Sequence, residues 1–87
     1  RPNYPNPFNP TTTISYQLPN EETVSLTIFN INGQVVQRLV QETQSQGAYN
    51  VTWDGRDAEG RMMSSGMYLY RLEAGDFVST RKLILNK

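Results

Sequence analysis

The stretch of residues 66–87 constrains the fold more than any other part of the chain. It contains two runs of β-prone residues, separated by Gly75 and Asp76. Glycine followed by Asp between two such runs predicts a two-residue hairpin turn of type II′, because glycine supplies the positive φ that this turn needs. The last quarter of the sequence is therefore predicted to be an antiparallel pair of strands.

Four further segments, 13–18, 23–30, 34–40 and 47–53, alternate apolar and polar residues. A period of two is typical of half-buried strands, and one stripe of each strand should face the core. Short apolar runs at 34–40 also fit a helical turn, but their β-branched residues favour a strand. The predicted core side chains are Ile14, Tyr16, Leu18, Val24, Leu26, Ile28, Tyr49, Val51, Trp53, Tyr68, Tyr70 and Leu72.

Turn and loop signals separate the strands. Asn32-Gly33 predicts a two-residue type I′ turn in which both residues have positive φ. Residues 41–46 are wholly polar and are expected to form a loop or a fraying strand end. Residues 61–63, within a long turn region, offer a place for a short additional strand.

Six clear strands, with turn signals about every 10 residues, predict an all-β sandwich. Neighbouring hairpins make most of the pairing antiparallel. With the short additional strand, we expect an antiparallel β-sandwich of about seven strands over residues 13–87. Residues 1–12 form a Pro-rich N-terminal segment that packs on the sandwich or leads into it, with Tyr4 and Phe8 on the domain surface.

Composition argues against several function classes. Eight basic and eight acidic residues balance, so bulk charge supports neither nucleic-acid nor anionic-membrane binding. The chain has no Cys and no His, which removes disulfides, thiolate metal sites and most nucleophile–base pairs. No apolar run approaches the roughly 18 residues of a membrane-spanning helix. We expect a protein that is not an enzyme, carries no cofactor and does not span a membrane.

Two binding interpretations remain open. Asp54, Asp57 and Glu59 lie in a Gly-containing loop and are candidate calcium ligands, although their spacing departs from that of a calcium loop and the carboxylates could instead cap turns. Carbohydrate binding would need exposed aromatic residues. Tyr4, Phe29 and Phe77 are the candidates, because most other aromatic residues fall on core stripes.

Ordered motifs run along essentially the whole chain: YPNPFNPTT at 4–12, WDGxDxxG at 53–60, SGxYxYxL at 65–72 and RKLILNK at 81–87. Together they resemble the type A C-terminal sorting domains of type IX secretion substrates from Bacteroidetes and related bacteria. They are equally similar to the immunoglobulin-like (Ig-like) domain of the flagellar hook-capping protein. Both resemblances imply an Ig-like sandwich. They also imply a module of a longer protein, in keeping with a sequence that starts at Arg1 rather than Met.

The sorting-domain resemblance implies docking on outer-membrane translocon and sorting-protease proteins. An upstream cargo domain would then be exported through the periplasm to the cell surface or the medium. By this resemblance, the residues that the translocon would recognise are Gly66, Tyr68, Gly75, Arg81, Lys82, Ile84, Leu85 and Lys87. Physical chemistry alone favours a simpler role for Arg81 and Lys82, as charges that protect an edge strand from aggregation. The hook-cap resemblance implies instead a structural Ig-like module, in a hook cap or in a stalk beside a catalytic domain.

Overall fold

The structure, a computed structural model, describes residues 11–86 of the chain. These residues form six strands and no helix. Lys87 and residues 1–10, with Tyr4 and Phe8, lie outside the described residues, so the prediction for the N-terminal segment is not tested. The strands are β1 (Thr12–Leu18), β2 (Glu22–Phe29), β3 (Val35–Gln44), β4 (Gly47–Trp53), β5 (Gly66–Ala74) and β6 (Phe77–Leu85).

The strands form two sheets. β1 pairs with β4, and the second sheet has the order β3-β2-β5-β6. All four pairings are antiparallel. The predicted all-β antiparallel sandwich is therefore confirmed. At the place of the expected short seventh strand, the described chain has a single bridge between Arg56 and Met62.

The core lies between the two sheets. Val24, Leu26 and Ile28 of the central strand β2 are fully buried, and Trp53 at the end of β4 is buried with them. Of the predicted core residues, Tyr49, Val51 and Tyr70 are half-buried and pack against this cluster. The other nine are buried. Among the buried apolar side chains of residues 11–86, Val36, Ala74, Leu83 and Leu85 were missing from the prediction.

A tyrosine joins the two sheets at one side. The Tyr16 hydroxyl on β1 donates a hydrogen bond of 2.6 Å to Gln44 Oε1 on β3. The Tyr16 ring stacks on Tyr49, with ring centroids 5.4 Å apart. Burial raises the pKa of Tyr16 from its ordinary value, and the hydrogen bond to Gln44 partly opposes that shift. This contact links β1 of the two-stranded sheet to β3 of the four-stranded sheet.

The third strand is longer and less regular than predicted. β3 continues to Gln44, because residues 41–44 pair with Glu22–Ser25 of β2. Of the two expectations for 41–46, the strand end is therefore correct for residues 41–44 and the loop is not. The helical alternative for 34–40 is also wrong. Two register shifts interrupt the β2–β3 pairing, between Leu26 and Thr27 and between Ile28 and Phe29. Each shift leaves one unpaired extra residue on β3, Leu39 or Val36, so successive side chains there no longer alternate strictly between the two faces, which accounts for the blurred alternation.

The turn after β2 differs from the predicted type I′ turn. Gly33 has φ of 84°, but no non-glycine residue between 11 and 86 has positive φ, so Asn32 does not fit the type I′ geometry. The Gly33 N–H donates to the Asn30 carbonyl at 3.0 Å, and the Asn30 side chain accepts from the N–H groups of Asn32 and Gln34. This matches a three-residue loop in which a type I turn precedes a glycine bulge. The Asn30 side chain, which the two-residue prediction ignored, favours the longer loop.

The turn between β5 and β6 is the one that the sequence predicts. Ala74 pairs with Phe77 across two loop residues. Gly75 has φ of 61° and Asp76 has no positive φ, as a type II′ turn requires. A side chain at Gly75 would approach the Glu22 carboxylate, but that group is the end of a flexible side chain and can move.

We expect Gly75→Ala to lower the free energy of unfolding by about 1–2 kcal/mol, because the positive φ is costly for any residue with a Cβ. Urea unfolding followed by Trp53 fluorescence would measure the change. We expect Gly75→Ala to lower the free energy of unfolding by the same amount in a chain that also carries Glu22→Ala. If removing the Glu22 carboxylate abolished most of the loss, crowding rather than backbone conformation would be its cause.

Candidate interaction surfaces

The segment between β4 and β5 folds into a compact loop anchored by Trp53. The Trp53 side chain is fully buried, and its Nε1 donates to the Arg56 carbonyl at 2.8 Å. The Trp53 ring meets Tyr68 edge-on, with centroids 5.3 Å apart. A backbone hydrogen bond of 2.8 Å from Met63 to Gly55 closes the loop. The WDG motif therefore has a structural role, which is to fix the crossing from one sheet to the other.

The carboxylates of this loop accept hydrogen bonds or form ion pairs with other groups of the same loop. Asp57 Oδ1 accepts the backbone N–H groups of Glu59 and Arg61, each at 2.9 Å. Asp57 Oδ2 accepts from Arg61 Nε at 2.9 Å, and Glu59 lies 3.3 Å from the same guanidinium. Asp54 Oδ1 accepts the Arg56 N–H at 3.1 Å. These contacts agree with the interpretation that the carboxylates cap turns of the loop.

The calcium interpretation is not supported by this geometry. A cation at Asp57 would have to displace the Arg61 guanidinium. Residues 11–86 contain no group of three or more His, Cys, Asp or Glu side chains that could hold a metal ion. The backbone hydrogen bond from Arg61 is the largest cause that lowers the pKa of Asp57, and the other hydrogen bonds and the Arg61 charge add to it.

The lowered pKa gives a pH-dependent prediction for Asp57. A carboxyl whose folded pKa lies below its unfolded value stabilises the fold above the unfolded pKa, and that contribution is lost as pH falls through the folded pKa. Asp57→Asn should therefore lower the melting temperature at pH 7. The difference from the parent chain should shrink as pH falls below about 4, the ordinary range of Asp.

Thermal unfolding followed by circular dichroism at a series of pH values measures this difference. Glu59→Gln is the matched control, since the Glu59 carboxylate is 75% exposed and should change the melting temperature little. A deficit of Asp57→Asn that stayed the same from pH 7 to pH 3 would contradict the role assigned to the charge.

The positions carried over from the sorting domains do not form one surface. Tyr68 and Leu85 are buried in the core, and the Tyr68 hydroxyl donates to the Ser64 carbonyl at 2.7 Å. Gly66 begins β5, and Gly75 forms the turn at its other end. Lys87 lies outside the described residues. Alternation alone could have shown that Leu85 shares a face with Leu83 and that Ile84 points the opposite way.

Three of these positions are exposed on β6, an edge of the four-stranded sheet among the described residues. Lys82 and Ile84 lie on the outer face, which points away from the two-stranded sheet, and Ile84 is 60% exposed. Arg81 is exposed on the inner face. The edge therefore offers a basic and an apolar side chain together on one face.

An apolar cluster, here called the outer patch, lies on the outer face of the four-stranded sheet. Its positions are neighbours in register: Phe29 pairs with Val35 and with Leu69, and Met67 pairs with Ile84. Val35, Met67 and Ile84 are each more than two-fifths exposed. Contiguous exposed apolar side chains are typical of surfaces that bind other proteins. The sequence pattern does not reveal the patch, because its residues come from four strands and become neighbours only when those strands pair.

Basic groups border the outer patch. The Arg71 guanidinium lies over the Phe29 ring, 4.9 Å from its centroid, and Arg71 also approaches Glu73 at 3.8 Å. Lys82 is paired with Leu69 on β5. The chemistry of this surface is therefore apolar at the centre and basic at the rim.

A second surface, the inter-sheet groove, runs between β1 and the β5–β6 hairpin. Its volume is about 640 Å³, and apolar side chains such as Leu18, Tyr70 and Phe77 line it. Phe77 is 58% exposed at its mouth. Phe77 and Phe29 therefore lie on opposite faces of the sheet, so they do not form the single aromatic surface that the carbohydrate interpretation needs. Tyr4 lies outside the described residues.

Residues 11–86 contain no helix that is long and apolar enough to cross a membrane.

Comparison with known proteins gives one matching family, and two FlgD structures are among the similar solved structures. The sequence model of the FlgD Ig-like domain matches residues 6–76. The crystal structure of FlgD from P. aeruginosa is 28% identical, with a TM-score of 0.66 over 85% of this chain and 58% of that one. FlgD from Xanthomonas campestris is 25% identical, with a TM-score of 0.67 over 87% of this chain and 56% of that one. No curated protein matches.

Proposed function

The chain belongs to the FlgD Ig-like domain family, and from this premise we propose that it is a non-catalytic structural module through which a larger exported protein contacts its assembly partners. The observation that carries the proposal is the similarity to two FlgD structures over more than four-fifths of the chain. The chain spans little more than half the length of those proteins. It would therefore supply one part of a hook-cap-like protein, or of a stalk beside another domain.

The surface chemistry supports a contact role. The carboxylates of the 54–63 loop are engaged by arginines and backbone N–H groups, and the sequence has no His or Cys to act as base or nucleophile. The outer patch, in contrast, exposes Val35, Met67 and Ile84 without using them in the core. Protein interfaces are enriched in aromatic residues, Met and Arg and have a polar rim, and the outer patch has Phe29 and Met67 with basic groups at its border.

A domain exchange tests this function. FlgD from X. campestris is described in connection with hook capping essential for flagellar assembly. Residues 1–87 would replace the aligned part of that protein in a strain that lacks it, and swimming in soft agar would be measured. We expect the chimera to restore at least half of the parental swimming diameter.

Variants of the chimera separate the outer patch from the fold. Met67→Glu with Ile84→Glu should abolish swimming, because charges in the patch oppose its burial in an interface. Val78→Glu is the matched control: Val78 is 57% exposed on the same face of β6 and lies outside the patch. A chimera that accumulates but never restores swimming would contradict the hook-cap role. Patch variants that swim normally would contradict the contact surface.

We propose a second candidate, secretion sorting, because β6 lies outside the family match, which ends at residue 76. This edge strand exposes Arg81, Lys82 and Ile84. An exposed edge can accept a strand from a partner through its unpaired backbone groups. In this interpretation the partners are outer-membrane translocon and sorting-protease proteins. The upstream domain is cargo exported through the periplasm to the surface or the medium.

A reporter fusion tests the second candidate. Residues 1–87 would be joined to the C-terminus of a periplasmic reporter in a host with type IX secretion. Sorting predicts reporter activity on the cell surface or in the medium, reduced at least tenfold by Lys82→Glu with Ile84→Glu. Val35→Glu, on the opposite edge strand β3, is the control and should leave export unchanged. A folded fusion retained in the periplasm would exclude sorting without affecting the domain-exchange result.

A further inference from the structure

A row of paired residues crosses the outer face of the four-stranded sheet beside the outer patch. Thr27 of β2 pairs with Arg38 of β3 on one side and with Arg71 of β5 on the other. Residues directly opposite each other in antiparallel strands lie on the same face. The two arginines, both exposed, therefore flank Thr27, with Cα atoms about 10 Å apart for two strand spacings.

Thr27 is buried although its side chain points away from the core. It is 7% exposed, and the core-facing residues on either side of it are Leu26 and Ile28. The aliphatic parts of the flanking arginines account for this burial, because long charged side chains cover small neighbours. The Thr27 hydroxyl has no hydrogen-bond partner within residues 11–86. Buried hydroxyls normally have one, so this group marks a place where an acceptor from outside is expected.

The basic groups around Thr27 are also poorly paired. Arg38 and Lys82 form no ion pair with any residue of the range 11–86. Arg71 approaches Glu73 at 3.8 Å, which is beyond hydrogen-bond distance. Glu73 is the acidic residue that the described strands place on this face, so the face is basic although the charges of the whole sequence balance.

We propose that Thr27, Arg38 and Arg71 bind a carboxylate side chain of the protein that contacts the outer patch. The inference rests on the contact role proposed above and names the chemistry of the partner, an apolar segment that carries Glu or Asp. Carboxylate oxygens have enough lone pairs to accept from two guanidinium groups and a hydroxyl at once. The negative charge also eases the repulsion between the two arginines.

The site adjoins the outer patch. Phe29 follows Thr27 by two residues on the same face of β2, a step of about 7 Å. The Arg71 guanidinium lies over the Phe29 ring, 4.9 Å from its centroid. One extended segment can therefore place apolar side chains on the patch and a carboxylate between the arginines. Nucleic acid fits less well, because its binding depends on many basic contacts to phosphates and this face has few.

Titration with two peptides tests the proposal. Acetyl-Leu-Ser-Leu-Ser-Glu-amide presents two leucines and the Glu on one side when it is extended, at the spacing of the rows on the sheet. The same peptide ending in Gln is the matched control. Heteronuclear NMR of the 87-residue chain should show saturable shifts of the Thr27, Arg38 and Arg71 signals, with the Glu peptide bound about fivefold more tightly than the Gln peptide.

Substitutions assign the preference for Glu to this site. Arg38→Gln should remove most of it, since Arg38 has no ion pair within residues 11–86 to compensate. Arg81→Gln makes the same change of charge on the inner face and should leave the preference unchanged. Trp53 fluorescence would confirm that each variant is folded.

Thr27→Val separates binding from folding. It should weaken binding of the Glu peptide about threefold, because one donor to the carboxylate is lost. Its melting temperature should equal or exceed that of the parent chain, because Val keeps the shape and removes an unsatisfied buried hydroxyl. A lowered melting temperature with unchanged binding would give the hydroxyl a structural role and overturn its part in the site.

Four outcomes would overturn the proposal as a whole: no saturable shifts, equal affinities for the two peptides, a Glu preference that survives Arg38→Gln, or acetate bound as tightly as the Glu peptide. The last would indicate a site for free small carboxylates. Tighter binding of oligothymidylate at the same residues would also overturn it, in favour of nucleic acid. The titration does not depend on swimming, so failure of this site and failure of the hook-cap role are distinguishable.

Discussion

The buried Trp53 side chain anchors the point where the chain crosses from one sheet to the other. Its side chain is fully buried at the end of β4, where the chain leaves the two-stranded sheet for the four-stranded one. The hydrogen bond to the Arg56 carbonyl satisfies the indole N–H and fixes the loop, and the edge of the ring contacts Tyr68. Truncating such a side chain in a core costs about 3–5 kcal/mol. That is a large part of the roughly 5–15 kcal/mol that stabilises a typical domain.

The surfaces available for function are those that this core leaves uncovered. A sheet of two strands cannot cover a sheet of four, so β6 has an exposed inner segment that includes Arg81. On the outer face, the side chains of Phe29, Met67 and Ile84 are apolar although they do not face the core. The acidic groups of the 54–63 loop already have partners within the loop, whereas the outer patch leaves apolar side chains exposed.

Local patterns predicted much of the fold. The alternation in β1 and β2 correctly identified Ile14, Leu26 and Ile28 as buried, because a strand with one buried face shows this pattern directly. It was less informative in β3, where bulges disturb the period, and at 41–44, where the polar sequence left a loop and a strand end equally open and backbone pairing with β2 gives a strand. The Asn30 loop was missed for a related reason, since side-chain hydrogen bonds rather than the Asn-Gly pair determine its length.

The candidate site was harder to predict than the fold. The motif around Leu85 suggested a recognition residue, but the strand turns that side chain into the core and leaves Ile84 outside. The outer patch is also invisible in the sequence, because Phe29 and Val35 approach Met67 and Ile84 only after β2 and β5 have paired.

By itself, the sequence determined the all-β class, the side chains that face inward along β1, β2 and β5, and the Gly75 turn. Each of these follows from the period of a strand or from the φ of one residue. Only the tertiary structure decided that β1 pairs with β4 and β2 with β5. Pairing between strands distant in sequence depends on how whole faces pack, which no local pattern encodes. Within residues 11–86, that pairing forms the inter-sheet groove beside β1 and brings the outer patch together.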